Sequence, residues 1–114
     1  MKKGDIILTP FPFTDLSQSK VRPAIVLAAG MYDRDVIICF ISSVINKTMN
    51  ETDILILDND TTFSKSGLKV SSLIKTNKIA TVDKGIILGK LGELDSELLN
   101  KLDFNLKKIF DLKS

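Results

Sequence analysis

K-V-R-P-A-I-V-L-A-A-G-M-Y-D-R-D-V-I-I-C-F-I-S-S, residues 20–43, decides how the rest of the chain is read. Val21 to Ala29 is apolar and β-prone, and so is Asp35 to Ile41, with Val36, Ile37, Ile38, Phe40 and Ile41. Between the two runs, Gly30, Met31, Tyr32, Asp33 and Arg34 bring the Gly and Asp of a turn. This pattern predicts a β-hairpin. Folding back around residues 30–35 pairs residues whose numbers add to roughly 64 or 65. Arg22 then lies opposite Ser42 or Ser43, and a one-residue slip changes which serine shares its face. A fixed cation and a hydroxyl are therefore expected to meet at the rim of a sheet.

Outward from the hairpin, Gly4 to Thr9 reads as a first strand. The stretch from Thr9 to Ser17 holds Pro10 and Pro12, which exclude a central strand, so an ordered loop is expected. It carries Phe11 and Phe13 close together. They either plug one end of the core or form a flap with an aromatic ring available to stack on a base. Val44 to Thr52 is polar and reads as a loop; Asp53 to Asp58 is a short apolar strand; Thr61 to Gly67 is loop again. Leu68 to Lys75 and Ile79 to Val82 are two further strand candidates. Gly85 to Gly92, with Gly85, Gly89 and Gly92, predicts turns and tight approaches. The final segment is helical. Asp95 or Ser96 can cap it and Glu97 suits its first turn. Leu94, Leu98, Leu99, Leu102, Leu106, Ile109 and Phe110 form one stripe, and Phe104 falls on the outer face beside Lys101 and Lys108. Five to seven short strands and one C-terminal helix predict a small, mainly β barrel closed on one side by the helix.

With 114 residues, the chain fits one domain, 1–114, and can bury a core without staples. No apolar run approaches the roughly 20 residues of a membrane helix. The charged start, M-K-K-G-D, turns Pro-rich too soon for a signal peptide. The expectation is a soluble cytoplasmic protein with no membrane contact. Cys39, the only cysteine, excludes an internal disulfide and suits a buried small apolar residue in I-I-C-F-I. Histidine is absent, which removes the commonest general base and metal ligand. Any catalysis must use Arg, Lys, Ser, Thr, Asp, Glu or Tyr, and neither a metal nor a cofactor is expected. A net charge of +2 permits a nucleic-acid partner only if positive charge gathers on one face.

Several segments resemble, in order, the MazF/PemK family of toxin endoribonucleases. They are K-G-D-I-I-L from residue 3, P-F-P-F-T-D at 10–15, R-P-A-I-V-L at 22–27, I-S-S at 41–43, G-L-K-V-S-S at 67–72, N-K-I-A-T-V-D-K at 77–84 and L-G-E-L at 91–94. The proline-rich loop points to the PemK-like branch. The resemblance implies an SH3-like small barrel with a C-terminal α-helix, a homodimer, and sequence-specific, metal-independent cleavage of single-stranded RNA. It implies a cognate antitoxin, with any DNA binding running only through the antitoxin complex. The family's catalytic arginine falls on Arg22, and its hydroxyl partner falls best on Ser42. Where many relatives carry Arg in the late motif, this chain has Ala80. The same resemblance leaves open a non-catalytic member that binds gyrase, or only antitoxin and RNA.

RNA carries its own nucleophile, the 2′-hydroxyl. Arg22 suits stabilisation of the phosphate, because a guanidinium is planar, always charged and able to hold two phosphate oxygens. It is effectively never deprotonated, so it is given the charge role and the base is left unassigned. Ser42 can donate a further hydrogen bond. Ser43, Phe13, Lys20, Lys69, Lys75 and Lys78 are candidate RNA-binding residues. By themselves, an R-P dipeptide is ordinarily a surface cation and a terminal serine pair a turn. Scattered lysines are as readily solvated surface. Asp15, Asp83 and Glu93 share no spacing and are given no catalysis; Asp83 reads as a turn or capping residue.

Overall fold

The computed structural model describes residues 1–10, 20–30, 33–45 and 49–113. Among the described residues there are six strands: β1 (Asp5–Pro10), β2 (Val21–Ala29), β3 (Asp35–Ser42), β4 (Asp53–Ile56), β5 (Ser72–Asp83) and β6 (Gly89–Glu93). A short helix α1 (Phe63–Ser66) precedes β5, a 3₁₀ turn (Lys84–Ile86) follows it, and α2 (Ser96–Ile109) closes the chain. The strands make one antiparallel sheet in the order β4-β5-β3-β2-β1-β6, curled into a half-barrel. The expected mainly β architecture with a C-terminal α-helix is the fold observed.

Both faces of the sheet are apolar, which is why β2 and β3 read as near-continuous hydrophobic runs. Alternation along these strands divides them between two clusters. Ile25, Cys39 and Ile41 join Ile6, Ile54, Ile56, Ile74, Leu94 and Leu102 on the face that α2 covers. Ala24, Val26, Val36, Ile38 and Phe40 join Ile7 and Val82 in a second cluster. Cys39 is fully buried, as expected, and burial pushes its thiol up to about 12.

The central hairpin forms in both of its expected registers. Ala24 pairs with Phe40, Ile25 with Cys39 and Val26 with Ile38; past a bulge, Ala28 pairs with Ile37 and Ala29 with Val36. The bulge adds one residue to β2 and shifts the register. On the far side, β3 pairs with β5. Phe40 faces Lys75 but Cys39 faces Ile79, so Thr76, Asn77 and Lys78 bulge out of the ladder. What reads as two strand segments is therefore one long strand interrupted by a three-residue bulge, and residues 68–71 lie ahead of it.

α2 forms as its pattern requires. The Asp95 carboxylate accepts a hydrogen bond from Leu98 N at 2.8 Å, and Glu97 stands in the first turn. Leu98, Leu99 and Leu106 pack beside buried Leu102, whereas Phe110, at the end of the stripe, is exposed. Phe104 is exposed on the outer face. Asn105 donates to Thr52 O at 3.0 Å and ties the helix to the chain entering β4. Asp83 is a cap: its side chain accepts from Gly85 N at 2.7 Å and pairs with Arg34 at 3.0 Å across the hairpin end.

Two elements depart from the sequence reading. The glycine-rich stretch 85–92 contains an edge strand, β6, paired with β1 through Gly89 to Leu8 and Gly92 to Ile6. Backbone pairing with an apolar neighbour outweighs poor strand propensity there. α1 occupies part of the 61–67 loop and ends at Gly67, in the left-handed region at φ 71°.

Candidate active site

Arg22 stands on the second residue of β2, paired with Thr9 of β1. Pro23 disfavours helical geometry at the residue before it, so Arg22 is held extended at the sheet rim. Carried two residues further, the register at the open end of the hairpin places Arg22 across from Ser42. The Ser42 hydroxyl, however, is engaged in a local turn. It accepts from Val44 N at 3.1 Å and lies 3.4 Å from Val44 O. Ser43 is exposed and turns toward a cavity that Arg22 also lines.

That cavity measures about 420 Å³. Its second wall is the segment 67–72, brought there by two reciprocal close approaches. A Cβ on Gly67 would sit 2.6 Å from the Leu91 carbonyl carbon, and one on Gly92 would sit 2.5 Å from the Ser66 carbonyl. Only glycine allows these backbones to meet, and Gly67 also needs its positive φ. Ser66 Oγ donates to Phe63 O at 2.6 Å and accepts from Leu68 N at 3.1 Å, which fixes the corner. Ser72 Oγ donates to Val70 O at 2.8 Å, and Ser71 Oγ accepts from Asp58 N at 2.8 Å. Lys69 is carried on this braced segment and lines the cavity.

The described lining thus holds two cations, Arg22 and Lys69, and two hydroxyl residues, Ser43 and Ser72, with no carboxylate. Aliphatic side chains supply the rest of the wall. In chemical terms such a lining suits an anion carrying an apolar group. A larger groove, about 520 Å³, runs between α2 and β4, where Glu51 and Glu97 outnumber one cation, Lys101, the wrong balance for a polyanion. Among the described residues, no group of three acidic or cysteine side chains is placed to hold a metal ion.

Not every candidate residue converges here. Lys75 pairs with Asp53 at 2.8 Å, where the Asp53 side chain is wholly buried. Lys78 is exposed on the β5 bulge and Lys20 is exposed just ahead of β2; neither lines the cavity. Phe13 lies outside the described residues. Ala80 pairs with Ile38 and packs against the second cluster. Ile38 is four residues from Ser42, about 13 Å along the strand. Ser72 was passed over in the sequence reading, although it ends the same G-L-K-V-S-S motif as Lys69. Nothing local marks it, since its role depends on where the loop lands.

Three carboxyls elsewhere, Asp5, Glu93 and Asp83, are held in ion pairs. Burial pushes the Asp5 carboxyl up, but hydrogen bonds from Lys2, through side chain and backbone, and from Lys90 outweigh it and hold the group below the usual carboxylate range. Glu93 is lowered by its hydrogen bond from Lys2 and by the charges of Lys2 and Lys90. Asp83 is lowered by Arg34 and the Gly85 amide.

The sequence matches the family of PemK-like, MazF-like toxins of type II toxin–antitoxin systems over residues 2–110. The chain belongs to that family. Among curated proteins, none matches it by sequence. The fold of this PemK-like chain is similar to an endoribonuclease in complex with its cognate antitoxin from a Mycobacterial species. The TM-score is 0.74 at 14% identity, covering 100% of this chain and 98% of that one. It is similar to the Mycobacterium tuberculosis toxin MazF-mt6, at a TM-score of 0.73 and 16% identity over 96% of this chain and 99% of that one. It also resembles a chain of MazE–MazF from Deinococcus radiodurans, at 0.74 and 17% identity over 99% and 98%. Among the described residues, no helix is long and apolar enough to cross a membrane.

Proposed function

We propose that this chain is the toxin of a type II pair and a metal-independent endoribonuclease that cuts single-stranded RNA at short sequences. The observation that carries the reading is the cavity whose described lining holds Arg22, Lys69 and two hydroxyl residues and no carboxylate, in a chain of the toxin family. The structural relatives described as endoribonucleases and as antitoxin complexes support it. The partners are single-stranded RNA, a cognate antitoxin and a second copy of the chain.

In this reading the RNA 2′-oxygen attacks the adjacent phosphorus. The bond from phosphorus to the 5′-oxygen breaks, one proton leaves the 2′-hydroxyl and one is taken up by the 5′-oxygen. The products are a 2′,3′-cyclic phosphate and a 5′-hydroxyl. Arg22 holds the non-bridging oxygens as charge accumulates on them, and Lys69 adds a second cation to the same face. Ser42, at the end of β3, donates to the phosphate once its turn with Val44 opens, and Ser43 already faces the cavity. Loss of one preorganised charged donor typically costs about 3–4 kcal/mol, a factor of roughly 10²–10³ in rate.

The test is cleavage of a long unstructured transcript in EDTA, with cut ends mapped and Arg22→Ala, Ser42→Ala and Ser43→Ala alongside. Discrete cuts with 5′-hydroxyl ends, lost in a folded Arg22→Ala protein, are expected. Wild-type cleavage by that variant would sink the assignment of Arg22. No cleavage by the wild type would sink the nuclease reading.

A further inference from the structure

Two exposed valines flank the cavity, and each sits next to one of its cations in sequence. Val21 precedes Arg22 and is 48% exposed; Val70 follows Lys69 and is 52% exposed. Both line the cavity. Exposed β-branched side chains bordering a concave, aliphatic-walled space leave apolar area in water that a flat apolar group would cover. The cations beside them supply charge for a phosphate attached to that group. At about 420 Å³ the space lies toward the small end of ligand sites, roughly 300–1,000 Å³, and has room for one nucleotide.

We propose that Val21 and Val70 form the two sides of a slot for a single unstacked nucleobase, with its phosphate held between Arg22 and Lys69, and that Val70 sets which base is accepted. The inference rests on the nuclease reading for its biological substrate, but not for its binding chemistry. The polar demand of the slot is small. Ser72 Oγ spends its proton on Val70 O and offers only lone pairs, which leaves Ser43 as the free-standing hydroxyl of the described lining. Selection is therefore by the size and shape of the base against the valine methyls, with one hydroxyl to orient its edge. The wall is stiff because Gly67 and Gly92 lock it to β6, so a smaller side chain at 70 enlarges the slot rather than being absorbed by movement of the loop.

The test separates this slot from cleavage. Binding of 2′-O-methyl RNA hexamers of each base, which have no free 2′-hydroxyl and cannot be cut, is measured by fluorescence anisotropy for the wild type, Val70→Ala, Val70→Asp and, as a control on an exposed aliphatic beside the end of α2, Leu112→Ala. Cut-site preference on a randomised RNA pool is read in parallel. Removing two methyls in an apolar slot is expected to weaken the preferred hexamer about tenfold. It should weaken the others less, and change the preferred base at one position of the cut site. Val70→Asp is expected to abolish hexamer binding, and Leu112→Ala to leave it unchanged. A wild type that cuts RNA, while both Val70 variants keep its hexamer ranking and cut-site preference, overturns the slot and leaves the nuclease standing. A wild type that binds no hexamer also overturns it. Hexamer binding that depends on Val70, with no cleavage, keeps the slot and sinks the nuclease.

Discussion

Replacing Gly67 by Ala tests the contact that builds the cavity's second wall, and Gly30→Ala isolates its cause. Both glycines have positive φ, 71° and 83°. An L-residue in that region costs about 1–2 kcal/mol. At Gly30 a Cβ meets no described atom within 4 Å, so that conformational cost is the whole expected effect. At Gly67 the Cβ would lie 2.6 Å from the Leu91 carbonyl carbon and closer still to its oxygen. Ordinary carbon contacts begin near about 3.5 Å, so backbone on one side must retreat by about 1 Å. Forced overpacking of this kind adds about 1–3 kcal/mol. Gly67→Ala is therefore expected to lose about 2–5 kcal/mol, against about 1–2 for Gly30→Ala. At about 4 °C per kcal/mol for a chain of this size, the melting temperatures fall by about 8–20 °C and about 4–8 °C. Urea unfolding followed by circular dichroism gives both numbers. Equal losses for the two variants would refute the steric term, and with it the claim that β6 and the 67–72 segment are locked backbone to backbone.

Other outcomes follow from the ion pairs. Lys75→Met leaves the buried Asp53 carboxylate without its cation and is expected to cost about 3–5 kcal/mol in urea unfolding. Adding Asp53→Leu should recover much of that, and a single-variant loss below about 1 kcal/mol would contradict the buried pair. The lowered carboxyls of Asp5, Glu93 and Asp83 contribute stability that is present above the ordinary carboxylate range, near about 4, and is lost as pH falls through their folded values below it. Stability should thus decline below about pH 4, and Asp5→Asn, though less stable at neutral pH, should decline less steeply. A variant with the wild-type acid slope would remove Asp5 from that account.

Much of this molecule is set by short-range pattern. The apolar runs around Gly30 specify the hairpin, because alternation and turn chemistry act over a few residues. Asp95 and the leucines from Leu98 to Leu106 specify α2 for the same reason, and I-I-C-F-I buries Cys39 wherever the strand pairs. Arg22 stands out through R-P and through the ordered family motifs around it. Tertiary structure alone decided the rest. Whether Ser42 or Ser43 faces the cavity turns on a register and on a local turn at Val44, since a single-residue slip reverses every side chain of a strand. Lys75 and Lys69 read alike as isolated lysines. One is paired with Asp53, twenty-two residues away, and the other is carried to Arg22 by Gly67 and Gly92 meeting backbones distant in sequence. Contacts of that separation leave no periodic trace in the chain, so the cavity, its charge and its valine rim exist only once the sheet has curled.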